Sequence, residues 1–283
     1  GCGYGSSGVP RCGSFLPDEP LTEKTVLGSG VRSLNVGVIA ACAVVGNGEA
    51  RCWGQGSLLG DLLGQSTSEP VAVKLVSGIH LAGLAEISVG GSHACARSND
   101  GSVWCWGDNG YGQTGAETMT ASLYASEVPG LSEATSLRLG GLHSCVVSAG
   151  QVLCFGHNLL GQFGNGTEIN SPIPMPALLS ISPELQLTGA LGIVTVGSTT
   201  CVRRSQDVRC WGEGWNGRLG DGTFDNVASL PRVVGLPSPA TSLGGGGSTA
   251  CAIVDGSIWC WGANHLGDGT TTPRATPGEV TLP

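Results

Sequence analysis

Cysteine is the residue type whose spacing in this chain of 283 residues is most informative about chemistry. Zinc ligands usually recur as Cys-x2-4-Cys, and a nucleophilic cysteine would occur once rather than in every repeat. The even count and the regular pairing therefore predict six disulfides and an oxidising compartment: extracellular, cell-surface or periplasmic. The twelve cysteines form six pairs nine or ten residues apart: Cys2 and Cys12, Cys42 and Cys52, Cys95 and Cys105, Cys145 and Cys154, Cys201 and Cys210, Cys251 and Cys260.

Each cysteine pair frames a predicted β-hairpin. Between Cys251 and Cys260 the midpoint is Asp255-Gly256, a two-residue turn signal of type I′ with strand-like residues on both sides. Counting outward from the turn places the two cysteines opposite each other at a non-hydrogen-bonded position. Opposed Cα atoms are about 4.5 Å apart there, which suits a disulfide. Cys201–Cys210 fits least well, because its midpoint, Ser205-Gln206, contains no glycine.

The hairpins belong to a longer repeat. From Cys42 onward, the first cysteine of each pair recurs at intervals of 50 to 56 residues. A Cys-aromatic-Gly sequence ends each of these hairpins, as at Cys105-Trp106-Gly107, and a glycine-rich loop follows it, as at 158–167. Four short strands with turns in about 50 residues are typical of one blade of a β-propeller. The 49 glycines and 15 prolines disfavour helical folds and support an all-β class.

We therefore predict one all-β domain over residues 1–283, a β-propeller with four-stranded blades and one disulfide in each blade hairpin. Five clear repeats cover 31–275, and 1–30 form a degenerate first blade. Six blades are expected, or seven if the chain is incomplete. The sequence begins at Gly1 with no initiator methionine, so it is expected to be either a processed form or a segment of a longer protein. Residues 271–283 are predicted to close the ring by pairing with the N-terminal hairpin, because a propeller must pair its last edge.

The repeat resembles the regulator of chromosome condensation repeat family, in the cysteine-rich version typical of bacterial extracellular proteins. The resemblance rests on five Cys-aromatic-Gly sequences and on Asn-x-x-Gly-Gln-x-Gly at 158–164. It implies a β-propeller. A bacterial β-lactamase inhibitor protein has a similar propeller and binds through its loop face, whereas the eukaryotic namesake is an exchange factor for a small GTPase.

Charge and hydropathy exclude several function classes. The net charge is −8 and the basic residues are scattered, which disfavours nucleic acid as a partner. No stretch approaches the roughly 20 apolar residues that span a bilayer. The Gly-x-Gly-x-x-Gly sequences at 3–8, 110–115 and 212–217 lack the strand and helix of a dinucleotide site. We predict no cofactor.

Other residues of catalytic type have simpler structural explanations. His93 and His143 each lie two positions before a first cysteine, so they would be spread around a ring rather than converge on one site. The Asp-Gly-Thr sequences at Asp221 and Asp268 are predicted to form turns rather than calcium sites. The tryptophans next to second cysteines are predicted to pack between blades. The sequence predicts no catalytic residue, no metal site and no enzymatic activity.

The functional hypothesis is a non-enzymatic, secreted or surface-displayed module that binds a protein partner, or a surface assembly or filament. The candidate partner-binding residues lie in the loops after the hairpins: Tyr111, Phe163, Trp215 and Phe224. The proline-rich spacer 167–192 is either a varied partner surface or a plain irregular connector. The alternative is an inhibitor of an extracellular hydrolase, which would need those aromatic side chains exposed. Exchange on a small GTPase is less favoured.

Overall fold

The computed structural model describes residues 2–4, 10–12, 25–26, 30–225, 227–263 and 266–280, and it is built from strands that alternate with short turns. An N-terminal sheet contains β1 (Cys2–Tyr4), β2 (Pro10–Cys12) and β3 (Thr25–Val26). Blade I contains β4 (Ser33–Val36), β5 (Ala40–Val45), β6 (Glu49–Gly54) and β7 (Thr67–Ala72). Blade II contains β8 (Leu84–Val89), β9 (His93–Ser98), β10 (Val103–Gly107) and β11 (Ser122–Glu127).

The second half of the chain continues the same order. Blade III contains β12 (Ala134–Leu139), β13 (His143–Ser148), β14 (Gln151–Gly156) and β15 (Ser171–Pro176). A separate hairpin, β16 (Leu178–Ile181) and β17 (Glu184–Gln186), follows it. Blade IV contains β18 (Gly192–Val196), β19 (Thr199–Arg203), β20 (Val208–Glu213) and β21 (Val227–Val233). Blade V contains β22 (Ser242–Gly246), β23 (Thr249–Val254), β24 (Ser257–Gly262) and β25 (Arg274–Val280). Two 3₁₀ turns cover Gly56–Leu58 and Trp215–Gly217.

The blades are arranged around a central channel. Each one is a four-stranded antiparallel sheet in chain order, and its first strand is the innermost. The first strands of successive blades lie next to one another and line, with the turns that follow them, a channel of about 440 Å³. The predicted all-β propeller is thereby confirmed.

The hairpin register agrees with the prediction. Cys251 lies opposite Cys260, and Asp255 and Gly256 form the turn with positive φ angles of 49° and 85°. All five hairpins of blades I to V contain a disulfide between directly opposed cysteines, with Cα–Cα distances of 4.1 to 4.2 Å. For the sixth predicted pair, the backbone register places Cys2 opposite Cys12, while their side chains lie outside the described residues.

The N-terminal sheet corresponds to strands two to four of a blade. Cys12 lies opposite Thr25, as Cys52 lies opposite Val71 in blade I. The six predicted blade sheets are therefore present, five with four strands and this one with three described strands.

The predicted role of the C-terminal segment is wrong for residues 274–280. Among the described residues, β25 pairs with β24 and not with the N-terminal strands. It is the outer strand of blade V, with Gly278 opposite Cys260 and Arg274 opposite Gly262. The physical reason is that each blade needs a fourth strand after its glycine loop, and 274–280 is the next strand-forming segment after that loop. Residues 281–283 lie outside the described residues.

Aromatic side chains fill the seams between blades. The large residue after each second cysteine is at most 1% exposed: Trp53, Trp106, Phe155, Trp211 and Trp261. Burying a side chain of this size stabilises a fold by several kcal/mol through the hydrophobic effect. The clusters that contain Trp106, Trp211 and Trp261 each combine residues of two blades, which confirms for these three the prediction that they pack between blades.

Candidate partner-binding face

The propeller has two chemically different faces. One face contains the turns between first and second strands and the loops between third and fourth strands. The two are in contact, as in blade II, where Asp108 donates its backbone N–H to the carbonyl of Ser92 at 2.9 Å. We call this the loop face. The hairpin turns and the connections between blades form the opposite face, where Asn99 donates its N–H to the carbonyl of Gly83 at 3.0 Å. We call this the hairpin face.

A glycine directs the chain from each third strand into the loop face. The glycine of each Cys-aromatic-Gly sequence has a positive φ, for example 96° at Gly212, which favours glycine strongly. Space is also lacking, since a Cβ at Gly212 would lie 2.4 Å from the carbonyl oxygen of Ser198. This explains why the glycine recurs in every repeat.

Buried asparagines hold two of the loops in shape. Asn158 is fully buried and accepts the N–H of Phe163 at 2.8 Å. Its amide group donates to the carbonyls of Thr167 at 3.0 Å and Ile169 at 3.2 Å. Asn109 makes equivalent bonds in blade II, where it accepts from Thr114 and donates to Thr118.

The loops are also anchored to the neighbouring blade. Leu62 donates its N–H to the carbonyl of Leu123 at 3.0 Å, and Gly166 donates to that of Ser229 at 2.8 Å. In both cases a loop of one blade bonds to the outer strand of the next. The loop face is therefore a framework of fixed loops rather than a set of free segments.

Three of the four predicted contact residues are exposed on this face. Trp215 is 57% exposed, Phe224 58% and Tyr111 37%. The Tyr111 ring stands edge-on to that of His157, with centroids 4.9 Å apart, a favourable geometry for an aromatic pair. The prediction for Phe163 is wrong: it is fully buried, in the hydrophobic cluster that contains Trp211.

Sequence reasoning missed several aliphatic residues on the same face. These side chains are exposed in the turns and loops: Val38, Leu63, Met119, Leu159 and Ile169. They occupy positions that differ in type between repeats, so the repeat pattern does not mark them. The signal that could have identified them is an apolar residue at a variable position of a polar loop.

Carboxylates outnumber arginine and lysine in the same loops. Asp61, Asp108, Glu117, Glu168, Asp221, Asp225 and Asp268 lie in the described parts of the loops, where Arg218 is the one basic residue and is paired with Glu213. Arg232, from the outer strand of blade IV, bonds Asp221 at 2.9 Å and Asp225 at 2.7 Å. Burial acts to raise the pKa of Asp221, but hydrogen bonds from Arg232 and Thr223 outweigh it and lower that pKa below its usual value. The face is acidic with apolar centres.

The two histidines of catalytic type are buried in blade seams. His93 Nε2 lies 2.9 Å from Ser144 Oγ, and His143 Nε2 lies 3.0 Å from Thr200 Oγ1. Burial lowers the pKa of each imidazole to about 3, so both are neutral at ordinary pH. Each bonds to the following blade, and neither reaches the loop-face surface. Their geometry is that of structural residues.

The Asp-Gly-Thr sequences form turns, in agreement with the prediction. Asp221 Oδ1 accepts the N–H of Thr223 at 3.0 Å, and Asp268 Oδ1 accepts that of Thr270 at 3.0 Å. Asn165 makes the same contact with Thr167 at 3.1 Å within an N-glycosylation sequence. The described residues contain no group of three or more His, Cys, Asp or Glu side chains arranged to hold a metal ion.

The proline-rich spacer is not a plain irregular connector. It contains the hairpin of β16 and β17, joined through a cis peptide bond between Ser182 and Pro183. Ile181 and Leu185 are exposed on it. None of the described helices is long and apolar enough to cross a membrane.

Comparison with known proteins places this geometry in a recognised class. The family described as Regulator of chromosome condensation (RCC1) repeat matches residues 85–113, which cover the first three strands of blade II and the start of its loop. The human E3 ubiquitin-protein ligase HERC2 is 27% identical over 264 residues, covering 88% of this chain and 5% of HERC2. The chain thus spans a small part of that relative.

Solved structures support the same fold. Human WBSCR16 superposes with a TM-score of 0.76 at 19% identity, covering 95% of this chain and 73% of that one. Yeast RCC1 (Prp20), in its complex with Kap60, superposes with a TM-score of 0.71 at 15% identity, covering 86% of this chain and 59% of that one. The protein is a β-propeller. Its fold is that of the RCC1 propellers, and the match at 85–113 agrees with the resemblance to the RCC1 repeat seen in the sequence.

Proposed function

We propose that this protein is a non-enzymatic, secreted or cell-surface module that binds a protein partner through its loop face. The observation that carries the proposal is the exposure of Trp215 and Phe224 in a loop tied to its own blade by Arg232. Large exposed aromatics on a fixed framework lose little conformational entropy on binding and bury much apolar area. Such residues are typical anchors of protein interfaces.

The disulfides support an oxidising location. The five described disulfides join equivalent positions of five hairpins, which indicates that the disulfide is a regular feature of the repeat. Cytosolic thiols are kept reduced in most organisms, so a chain with a bridge in every hairpin fits an extracellular, cell-surface or periplasmic site. Protein binding also agrees with a structural neighbour, since yeast RCC1 (Prp20) was solved bound to Kap60.

The test is site-specific photo-crosslinking in the native source, followed by mass spectrometry. A photoreactive residue replaces Trp215, and in a matched control it replaces Ile253, which is also exposed but lies on a strand of blade V. We expect links to one partner from position 215 and none to that partner from 253. Equal links from both positions, or turnover of a substrate that a single polar substitution abolishes, would contradict the proposal.

A second candidate is an inhibitor of an extracellular hydrolase. It is favoured by the exposure of Tyr111, Trp215 and Phe224 on one face, since an inhibitor needs anchors to occupy a cleft. Crosslinks from position 215 to a secreted hydrolase, together with loss of that enzyme's activity on addition of the protein, would identify this role. Links to further copies of the chain or to a filament would identify assembly instead. Exchange activity on a small GTPase is the least favoured of the three functions, because a disulfide-containing protein in an oxidising compartment would not meet a cytosolic partner.

A further inference from the structure

The hairpin face contains an arginine without the partner that its position has elsewhere in the fold. Arg97 and Arg203 occupy the same place on the second strands of blades II and IV. Arg97 lies opposite Glu86, and its Nε is 3.3 Å from a Glu86 oxygen. Arg203 lies opposite Gly192, which has no side chain. Within the described residues, no ion pair or side-chain hydrogen bond involves the Arg203 guanidinium.

Blade II shows how this fold holds a carboxylate at that place. The carboxylate of Glu86 accepts from Arg97 of its own blade. It also accepts from two groups of the next blade: the guanidinium of Arg138 and, at 3.3 Å, the backbone N–H of Leu137. Two guanidinium groups and an amide around one carboxylate form a strong, charge-assisted arrangement.

In blade IV the corresponding space is a cavity of about 190 Å³. Its lining includes both Arg203 and Arg138, together with Gly192 and the hydroxyl residues Ser136 and Ser242. Leu243 also lines the cavity. It occupies in blade V the position that Leu137 occupies in blade III. The cavity therefore repeats the second-strand arginine and the next-blade leucine of the Glu86 site without the carboxylate. Its second arginine, Arg138, comes from the preceding blade III, because Gly244 stands at that position in blade V.

Size and access suit a small ligand. The volume is below the roughly 300 Å³ at which pockets for drug-sized molecules begin. The Arg138 side chain is 38% exposed, so the cavity opens to solvent. Glu86 neutralises one of the two charges of Arg97 and Arg138, and Arg203 adds a further positive charge. An anion entering here meets the two arginines that line the cavity, of which Arg138 also bonds Glu86 and the carbonyl of Leu137.

We propose that this cavity binds the carboxylate group of a small molecule, with Arg203 and Arg138 as its charged contacts. The carboxylate takes the place that Glu86 fills in blade II. The planar guanidinium groups match its two oxygens, and Ser136 and Ser242, which also line the cavity, carry hydroxyl groups that can donate to a carboxylate. This site is independent of the loop face and does not depend on the partner proposed for it.

The test uses ¹⁵N-labelled protein titrated with succinate and, separately, with inorganic phosphate. The signals followed are the arginine Nε–Hε groups and the backbone amide of Leu243. We expect saturable shifts with succinate and binding at least about tenfold weaker in Arg203→Gln, because the charge-assisted bonds are lost. Shifts that grow without saturation, or affinity unchanged in Arg203→Gln, would overturn the proposal. Phosphate binding as tight as succinate would overturn the assignment to carboxylates.

Gly192 offers a second variant that does not remove the arginine. An added Cβ there meets no atom within 4 Å, so a side chain fits. In Gly192→Glu, an internal carboxylate should occupy the site, abolish succinate binding and raise the melting temperature. Gly192→Gln is the uncharged control of the same size, and we expect it to block the cavity without the gain in melting temperature. Succinate binding that persists in Gly192→Glu, or equal melting temperatures for the two variants, would contradict the proposal.

Discussion

Trp211 of blade IV donates its indole N–H to the backbone carbonyl of Gln162, a loop residue of blade III, at 2.7 Å. The same carbonyl accepts the hydroxyl of Thr200 at 3.0 Å. In the previous seam the residue after the second cysteine is Phe155, and the Gln113 carbonyl accepts from Ser144 alone at 2.8 Å. Each seam therefore joins a fixed loop carbonyl to the next blade, and the donors differ from seam to seam.

These differences predict which of two tryptophan substitutions lowers the free energy of unfolding more. Trp211→Phe leaves Thr200 as a donor, so it should cost about 1 kcal/mol of stability, the usual net value of one hydrogen bond. Trp106 donates to the carbonyl of Leu58 at 2.9 Å, and its seam has Ala94 where Thr200 stands. Trp106→Phe should therefore cost more, because the buried carbonyl loses its side-chain donor. Urea denaturation measures both.

Trp215→Phe is the control for these two variants, since Trp215 is exposed and should tolerate the change within about 0.5 kcal/mol. A larger loss in Trp211→Phe than in Trp106→Phe would show that the carbonyl contacts do not determine seam stability.

Acid should weaken the fold through its two buried histidines. Burial lowers the pKa of His93 and of His143 from 6.5 to about 3. Between these values the unfolded chain binds a proton that the folded chain excludes, so stability is fully present above about pH 6.5 and falls as the pH drops toward 3. The slope is at most about 1.4 kcal/mol per pH unit for each histidine.

Threonine is the natural replacement, because Thr199 occupies the equivalent place in blade IV. We expect His93→Thr and His143→Thr to flatten the decline of unfolding free energy between pH 7 and pH 4, measured by denaturant titration. If the pH dependence of stability is unchanged in both variants, His93 and His143 are not its cause.

The fold could be predicted from the sequence because the signals that define each repeat act between residues close together in the chain. A turn signal such as Asp255-Gly256 fixes the register of its own hairpin, and that register places the cysteines opposite each other. Long-range pairing was harder to predict, as the outer strand β25 shows: a final strand-forming segment fits either a closing strand or the fourth strand of its own blade. The arrangement of the other four blades decides the matter in favour of the second.

The candidate sites were predicted less well than the fold. Phe163 was selected as an exposed loop aromatic, yet it occupies the loop position of Leu219 in blade IV, and both are buried. Comparing loops position by position would have indicated a core role. The contrast between Arg203 and Arg97 could not be found this way, because it depends on which residue lies opposite each arginine across two strands. The sequences of the first strands differ between repeats, so the residue that lies opposite each arginine cannot be predicted from the sequence alone.

Burial should protect the disulfides from reduction unequally. In four of the five described bridges both cysteines are fully or almost fully buried, whereas Cys251 of the Cys251–Cys260 bridge is partly exposed. A thiolate must reach the sulfur it attacks, so Cys251–Cys260 should be reduced first by dithiothreitol in the folded protein. Timed alkylation with iodoacetamide and peptide mass spectrometry gives the order. Simultaneous reduction of all five would mean that global unfolding, rather than local access, limits the reaction.

Loop shape should depend on the amide of Asn158 more than on its size. The side chain is fully buried, and its NH₂ group donates to the carbonyls of Thr167 and Ile169. Asn158→Asp keeps the shape but replaces the donor with an acceptor, which places a buried charge beside two carbonyl oxygens. We expect a loss of at least about 2 kcal/mol and faster amide hydrogen exchange across 157–170.

Asn47→Asp, in an exposed hairpin turn, is the matched control and should change neither quantity. The exchange measurement separates loop disorder from general destabilisation, because the strands of blade I should keep their protection while the blade III loop loses it. If exchange rises uniformly over the chain, Asn158 stabilises the whole propeller. If it rises in 157–170 alone, the asparagine fixes the shape of the loop that carries Leu159 and Ile169, and the loop face depends on it.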